Sequence, residues 1–152
     1  MIQPMLRPPE PTSGTPGIPL AASLPERETT LLEAERRKAD FLERWTGDLP
    51  NLRVVRGRAE SQETDRYGVA VAKALAPPPV AAEWCLPLVR EGGAAVLWAG
   101  PSADADAVSR AAACLAAERE DAPPGFLVLR KTGPTPPGFP RRPGVARKRP
   151  LA

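Results

Sequence analysis

Residues 13–45 read SGTPGIPLAASLPERETTLLEAERRKADFLERW, and this stretch decides the fold. A turn carrying Gly14 and Gly17 predicts the start of a short helix that ends near Ser23, because Pro25 cannot continue it. Residues 28–33 favour a strand, since two threonines and two leucines suit pleated structure. Apolar side chains at three- and four-residue spacing then predict a helix over residues 34–46. Helix, strand and helix in this order are typical of an α/β sheet.

The same stretch predicts a nucleoside site. In nucleotide-binding α/β sheets, a glycine-bearing turn lets the backbone approach the ligand, and an acidic residue at the carboxyl end of a strand accepts hydrogen bonds from ribose hydroxyls. Glu33 occupies that strand end, and Gly14 lies in the turn. Two glycines do not make a fingerprint, so a helix N-terminal carboxylate favoured by the helix dipole is the other interpretation of Glu33.

Composition excludes several classes of site. The 152 residues suffice for one domain, and no histidine is present, which excludes Ser-His and Cys-His nucleophile pairs, histidine bases and histidine-bound zinc. Cys85 and Cys114 form no CxxC pair, so we expect two reduced, helix-borne thiols packed in the core. The amino terminus has no apolar segment typical of a signal peptide, and the longest apolar run, residues 92–100, is too short to cross a bilayer of ~30 Å. We expect a soluble, monomeric, cytoplasmic protein without a metal.

The charge distribution indicates a polyanionic partner. The net charge is +3, yet residues 130–152 hold seven of the 21 Lys and Arg and none of the 18 Asp and Glu. A tail of one sign is typical of a segment that binds nucleic acid, although a disordered, solubilising end has the same composition. Arg141, Arg142, Arg147, Lys148 and Arg149 are the candidate phosphate contacts.

The remaining pattern predicts an α/β fold with a mostly parallel sheet and helices on both faces. Five strands are predicted, at residues 28–33, 52–56, 67–72, 94–99 and 126–129. Further helices are predicted at residues 77–90 and 104–120, with Gly92 and Gly93 forming a turn. We expect residues 1–12 to be an irregular proline-rich leader, residues 13–130 to be one domain, and residues 131–152 to be an extended basic tail.

Seven segments of the chain form a recognisable set. They are PGIPLA at 16–21, LLE at 31–33, RGRAE at 56–60, AKALAP at 72–77, LPLVREGG at 86–93, LVLRK at 127–131 and the tail PTPP…PRRPG…KRPL. These segments, which cover roughly residues 13–151, resemble the bacterial small-subunit (16S) ribosomal RNA methyltransferase G family, once called glucose-inhibited division protein B. The first and last of them are specific to that family.

The resemblance implies a class I, Rossmann-like, S-adenosylmethionine-dependent methyltransferase fold with fewer strands than usual. It implies S-adenosyl-L-methionine as the methyl donor, a guanine N7 of 16S ribosomal RNA as the acceptor, and that RNA or the small ribosomal subunit as the partner. Guanine N7 carries a free lone pair, so no general base is required and the protein acts by positioning alone.

The resemblance also assigns donor-site residues. Gly14 matches the last glycine of the family's glycine-rich loop, and Thr15 follows it. Glu33 would bind the ribose, and Ala59 with Glu60 would lie beside the adenine. Lys73 stands where the family usually has arginine. A solvated loop acid at Glu60 and a strand-end lysine reaching solvent at Lys73 remain the other interpretations.

The chain departs from the family pattern around its glycine loop. Glu10 and Thr12 occupy the first two glycine positions, and residues 1–9 make a poor first strand. The family's strand between the last helix and Phe126 is also not predicted. These departures suggest a truncated or degenerate member, for which a misplaced start would be one origin. A non-catalytic remnant that binds RNA is therefore the alternative function, and a different Rossmann-like binder, which the tail sequence disfavours, is a third.

Overall fold

The computed structural model describes residues 16–152, so the leader at 1–12, Gly14 and Thr15 lie outside the described part. The chain divides into two compact units, Met1–Arg58 and Ala59–Ala152. The tail at 131–152 belongs to the second unit.

Each unit combines parallel strands with helices. The first unit contains α1 (Gly17–Ser23), β1 (Thr29–Glu33), α2 (Arg36–Glu43) and β2 (Leu52–Arg56). The second contains β3 (Tyr67–Ala72), α3 (Pro78–Cys85), β4 (Val89–Trp98), α4 (Ala105–Ala113), β5 (Ala117–Glu120), β6 (Phe126–Lys131) and α5 (Val145–Lys148), with 3-10 turns at Ala59–Ser61 and Leu86–Leu88. The predicted strands at 52–56 and 67–72 have these bounds.

In the first unit, β1 and β2 form a parallel pair whose register runs from Thr29↔Leu52 to Glu33↔Arg56. Helices α1 and α2 contribute Ala21 and Leu42 to the apolar cluster that also holds Leu31 and Leu52. Helix α1 begins at a glycine because it packs closely on β1. A Cβ atom there would lie 2.1 Å from the Cδ2 atom of Leu31, so only glycine lets α1 pack this closely on β1.

In the second unit, the strand order is β3-β4-β6-β5. The pair β3–β4 is parallel, whereas β4–β6 and β6–β5 are antiparallel. Helices α3 and α4 pack together and bury one core with the strands. The helical and strand members of that core are Ala81, Ala82, Cys85, Val108 and Ala112, and Ala72, Ala95, Leu97, Ala117, Leu127 and Leu129.

The prediction of a helix over residues 77–90 and a turn at Gly92 and Gly93 is wrong beyond Cys85. Pro87 lies in a 3-10 turn, and β4 begins at Val89 and includes both glycines. The register jumps from Tyr67↔Val89 to Val69↔Ala94, so residues 90–93 form a bulge. Gly92 has φ +79°, and a Cβ on Gly93 would lie 2.4 Å from the carbonyl oxygen of Gly68. The glycines therefore permit a bulge within a strand, not a turn between elements.

The prediction of one helix over residues 104–120 is wrong at its second half. Helix α4 ends at Ala113, Ala116 adopts φ +53°, and residues 117–120 form β5. Strand pairing overrides the helical propensity of this alanine-rich segment, because β5 pairs along β6 from Ala117↔Lys131 to Glu120↔Val128. The described residues therefore hold six strands, and the strand that was not predicted before Phe126 is present. Cys114, expected in the core, is exposed, while Cys85 is buried.

The prediction of extended backbone throughout the tail is wrong at Val145–Lys148, which forms α5. Ala146 is 1% exposed and packs with Val80 and Trp84 of α3. Tertiary contacts of this kind stabilise a helix that its own sequence would not. Among residues 16–152, no helix has the length and apolarity needed to cross a membrane.

Candidate functional site

Glu33 ends β1 in the first unit. Its Oε1 atom accepts a hydrogen bond of 2.8 Å from the backbone N–H of Glu35, the residue that precedes α2. The carboxylate thus satisfies one donor at the start of α2, as a helix N-terminal acid does. It also lies at the carboxyl end of a parallel strand, which is where open α/β sheets bind ligands.

Ala59 and Glu60 lie in the 3-10 turn Ala59–Ser61 of the second unit. Ala59 is partly buried against the cluster of Val80, Trp84 and Ala146. The Oε1 atom of Glu60 accepts a hydrogen bond of 3.3 Å from the N–H of Gly144. This turn, helix α3 and the tail helix α5 therefore share one apolar cluster, and Glu60 links the turn directly to the start of α5.

Lys73 follows the last residue of β3 and is exposed. The next residue, Ala74, adopts a left-handed φ of +52°, so the chain turns sharply at this point. Lys73 therefore stands at the carboxyl end of a parallel strand in the second unit, as Glu33 does in the first.

The structure separates the seven basic residues of 130–152 into two groups. Arg130, Lys131 and Arg141 pair with Glu120, Asp65 and Glu83, respectively. Arg142, Arg147, Lys148 and Arg149 are exposed, and no carboxylate of residues 16–152 forms an ion pair with any of them. We call these four residues the basic tail surface. Nearly half of the tail's positive charge is thus neutralised internally.

Arg141 is held in place by Glu83. Its Nε and Nη2 atoms donate to the two oxygens of Glu83, a residue of α3 that is 2% exposed, and Nη2 also donates to the carbonyl oxygen of Arg149 at 2.8 Å. The hydrogen bond to Glu83 raises the pKa of Arg141 further. Such a bidentate pair fixes both partners. Arg141 therefore attaches the tail to α3 instead of presenting its charge to solvent.

Lys131 makes a second attachment. It is 1% exposed at the end of β6, and its Nζ atom donates to Asp65 at 2.9 Å, to Thr135 at 2.9 Å and to two backbone carbonyl oxygens. Partial burial raises the pKa of Asp65, but the hydrogen bonds from Lys131 and Thr135 outweigh it, so the pKa lies below the ordinary value.

The partners of both attachments were not predicted, although the sequence around Glu83 contained a signal. In the structure, the burial of β6 alternates, and Lys131 falls on a buried position of that alternation. Glu83 lies within the apolar run PPVAAEWC of α3. A charge at an apolar position of a buried element requires a partner, because burying it alone is costly.

A groove opens beside the basic tail surface. It has a volume of about 490 Å³ and is lined by Pro77, Pro79, Val80, Arg147, Pro150 and Ala152. Arg147 also lies over the ring of Trp84, with its guanidinium carbon 5.2 Å from the ring centroid. All of the lining residues belong to the second unit, and Pro77 follows shortly after the end of β3.

The buried thiol of Cys85 is unreactive, and the described residues offer no metal site. Burial raises the pKa of Cys85 to about 12, so its thiol stays protonated and unreactive. Within residues 16–152, no three cysteine or acidic side chains come together in a way that could hold a metal ion.

Comparisons with known proteins match this chain to one family. Residues 12–124 match the family described as rRNA small subunit methyltransferase G. Proteins named ribosomal RNA small subunit methyltransferase G match 91% of the chain, including one from Synechococcus sp. (strain JA-2-3B'a(2-13)) at 36% identity and one from Rubrobacter xylanophilus at 38%. The chain spans 61% of the length of each of these two relatives.

Solved structures show the same fold at low sequence identity. A predicted O-methyltransferase from Agrobacterium tumefaciens has a TM-score of 0.61 at 16% identity, over 79% of this chain and 69% of that one. A TehB-like SAM-dependent methyltransferase from Corynebacterium glutamicum has a TM-score of 0.55 at 15% identity, over 79% and 76%. The α/β fold predicted from the sequence is confirmed, and these two methyltransferases share it.

Proposed function

Because the chain belongs to the rRNA small subunit methyltransferase G family, we propose that it transfers a methyl group from S-adenosyl-L-methionine to N7 of a guanine in 16S ribosomal RNA. The observation that carries this proposal is the match of residues 12–124 to that family. The hydrogen bond between Glu60 and Gly144 supports it, because it joins a turn proposed for the donor to the start of the helix that bears the basic tail surface.

Each unit offers residues of a kind that bind parts of the donor. In the first unit, Glu33 stands at the carboxyl end of a parallel strand, the place from which a carboxylate accepts hydrogen bonds from ribose hydroxyls. In the second unit, Glu60 offers a half-buried carboxylate, which would accept a hydrogen bond from the adenine amine, and Ala59 would supply backbone contacts beside it. Lys73, which is exposed, and Gly14 and Thr15, which lie outside the described residues, are the other residues proposed for the donor.

Methyl transfer to guanine N7 requires the protein mainly to position the two reactants. Bound S-adenosyl-L-methionine supplies an electrophilic methyl group on a sulfonium. Guanine N7 already carries a lone pair in the neutral base, so no side chain needs to remove a proton, which agrees with a chain that has no histidine. The protein would act by holding N7 in line with the methyl group. We accordingly assign no catalytic residue.

The RNA contacts are proposed for the basic tail surface, that is Arg142, Arg147, Lys148 and Arg149. These side chains are exposed and on or next to one short helix, so they can follow a phosphate backbone. Arg141 is reassigned as a positioning residue, because Glu83 already occupies its guanidinium. The partner would be 16S ribosomal RNA or the small ribosomal subunit. The protein would act on it as a monomer in the cytoplasm, where ribosomes are.

The test is methyl transfer to small-subunit RNA. The full chain is incubated with S-adenosyl-L-methionine and 16S RNA, as naked RNA and as 30S particles lacking the modification, and the RNA is digested and searched by mass spectrometry for N7-methylguanosine. One stoichiometric product at a single guanine supports the proposal. RNA binding without any methylated product in either substrate would favour the alternative, a non-catalytic RNA-binding remnant.

A further inference from the structure

We propose that the groove lined by Pro77, Pro79, Val80, Arg147, Pro150 and Ala152 holds one unpaired nucleobase of the bound RNA, stacked between proline faces and the Arg147 guanidinium. This inference rests on the proposed function and deepens it, because it assigns a base contact to a surface otherwise expected to bind only phosphates. These six residues line the groove, which has a volume of about 490 Å³.

The floor of the groove is suited to a flat apolar ligand. It is the first turn of α3, whose cap and first two positions are Pro77, Pro78 and Pro79. Proline has no backbone N–H, and the N–H of Val80 already donates to the carbonyl oxygen of Pro77 at 2.9 Å. This helix start therefore lacks the free amide donors with which other helices bind phosphate. What remains are pyrrolidine faces, which pack against rings.

The wall of the groove is suited to a π-system. The guanidinium of Arg147 is planar and stacks on aromatic faces as well as pairing with anions. Its guanidinium carbon lies 5.2 Å from the centroid of the Trp84 ring, a contact that favours this position before any ligand arrives. A base entering the groove would meet a guanidinium already biased toward this position, with less conformational entropy lost on binding.

The charge around the groove selects RNA as the occupant. Arg142 precedes α5, Lys148 ends it and Arg149 follows it; all three are exposed, and residues 130–152 contain no Asp or Glu. A peptide rich in apolar side chains would gain nothing from these cations, whereas the phosphates on either side of an unpaired base would. Stacking platforms bordered by cations are the usual way in which proteins bind single strands.

Three proteins test the inference: the wild type, Arg147→Lys and the matched control Arg142→Lys. Both substitutions keep the charge and remove a planar guanidinium, but only Arg147 lines the groove. Each protein is titrated at several salt concentrations with an eight-nucleotide oligoadenylate and with an abasic ribose-phosphate oligomer of the same length and charge. Circular dichroism and thermal unfolding confirm that both variants fold.

The wild type should bind the oligoadenylate about fivefold or more tightly than the abasic oligomer, as expected for one stacked base. Arg147→Lys should bring that ratio close to one with an unchanged salt slope, whereas Arg142→Lys should leave it intact. A wild-type ratio near one, or an equal loss in both variants, would overturn the groove as a base site while leaving phosphate binding in place. If the wild type binds neither oligomer, the proposed RNA function fails with it.

Discussion

Lys131 carries its ammonium into the interior of the second unit, where Asp65, Thr135 and the carbonyl oxygens of Leu86 and Val89 surround it. A buried charge of this kind is stable only while its hydrogen-bonding partners are present. Because its partners come from the loop before β3, the segment before β4 and the tail, this one side chain connects three distant parts of the chain.

Lys131→Met should lower the free energy of unfolding by about 3 kcal/mol, because it removes the charged partner of Asp65, which keeps only Thr135, and the donor of two carbonyl oxygens. Lys148→Met removes a charge from an exposed position and should change stability by less than about 0.5 kcal/mol. Urea unfolding of both variants measures the difference. Equal, small effects would show that the ammonium does not hold the tail.

The low pKa of Asp65 makes the stability of the second unit depend on pH. Its pKa in the folded protein lies below the ordinary aspartate value of about 3.9, so its contribution to stability is complete above that value and is lost as the pH falls through the folded pKa. Asp65→Asn should therefore lower the melting temperature at pH 7 and flatten its decline below about pH 4. The exposed residue Asp121 gives the control, Asp121→Asn, which should keep the decline of the wild type.

Arg141 and Arg142 are adjacent but should behave differently. Arg141→Ala leaves the buried Glu83 unpaired and should cost about 3 kcal/mol of stability. Arg142→Ala should leave stability almost unchanged and reduce the salt slope of RNA binding by about one. Thermal unfolding and salt-dependent RNA titration of the two variants separate these roles. The assignment is contradicted if Arg141→Ala changes the salt slope and not the melting temperature.

At the scale of elements, the position of α5 depends on one glycine. Gly144 precedes the helix with φ +84°, a left-handed conformation in which its N–H reaches the carboxylate of Glu60. Gly144→Ala should destabilise this arrangement by about 1–2 kcal/mol, because a Cβ is strained in that region. Gly100→Ala is the matched control, since Gly100 has no positive φ and the methyl group of an alanine there would meet no atom within 4 Å.

The effect of Gly144→Ala should appear in two measurements. Unfolding should begin at lower temperature, and RNA binding should weaken because the basic tail surface is no longer fixed. If the variant binds RNA as the wild type does, then α5 need not be ordered for the tail to act.

The elements that the sequence predicted well are those whose stability is local or whose pattern has one interpretation. Strands β2 and β3 have the predicted bounds, and α2 lies within the predicted helix, because their apolar residues follow a clear period. Elements that depend on distant partners were mispredicted. Strand β5 consists of AERE and is a strand only because β6 pairs with it. Helix α5 exists because α3 buries Ala146.

The residues of the candidate site also differ in whether the sequence could predict their positions. Strand ends, where Glu33 and Lys73 stand, can be predicted from a β–α pattern, since ligands bind at such ends. The division of the tail into paired and exposed cations could not be predicted, because Glu83 and Asp65 lie 58 and 66 residues from the basic side chains they hold. The groove on α3 could not be predicted either, because residues of the tail form part of its lining.

At the scale of the whole molecule, the second unit contains the basic tail surface together with Ala59, Glu60 and Lys73, three of the residues proposed for the donor. Its core attaches the turn at Ala59–Ser61, the proline-rich start of α3 and the basic tail surface to each other. The first unit contributes a parallel strand that ends at Glu33. In the proposed activity, the donor is bound at the carboxyl ends of parallel strands and the RNA is bound by the tail.

The most direct measurement is calorimetric titration of the full chain with S-adenosylhomocysteine, for the wild type and for Glu33→Ala, Glu60→Ala and the exposed control Glu118→Ala. We expect saturable heat with one ligand per chain, an affinity reduced by about 1–3 kcal/mol in each of the first two variants, and no change in the control. No heat at millimolar ligand, or equal affinity in all four proteins, would contradict the roles proposed for these carboxylates in donor binding.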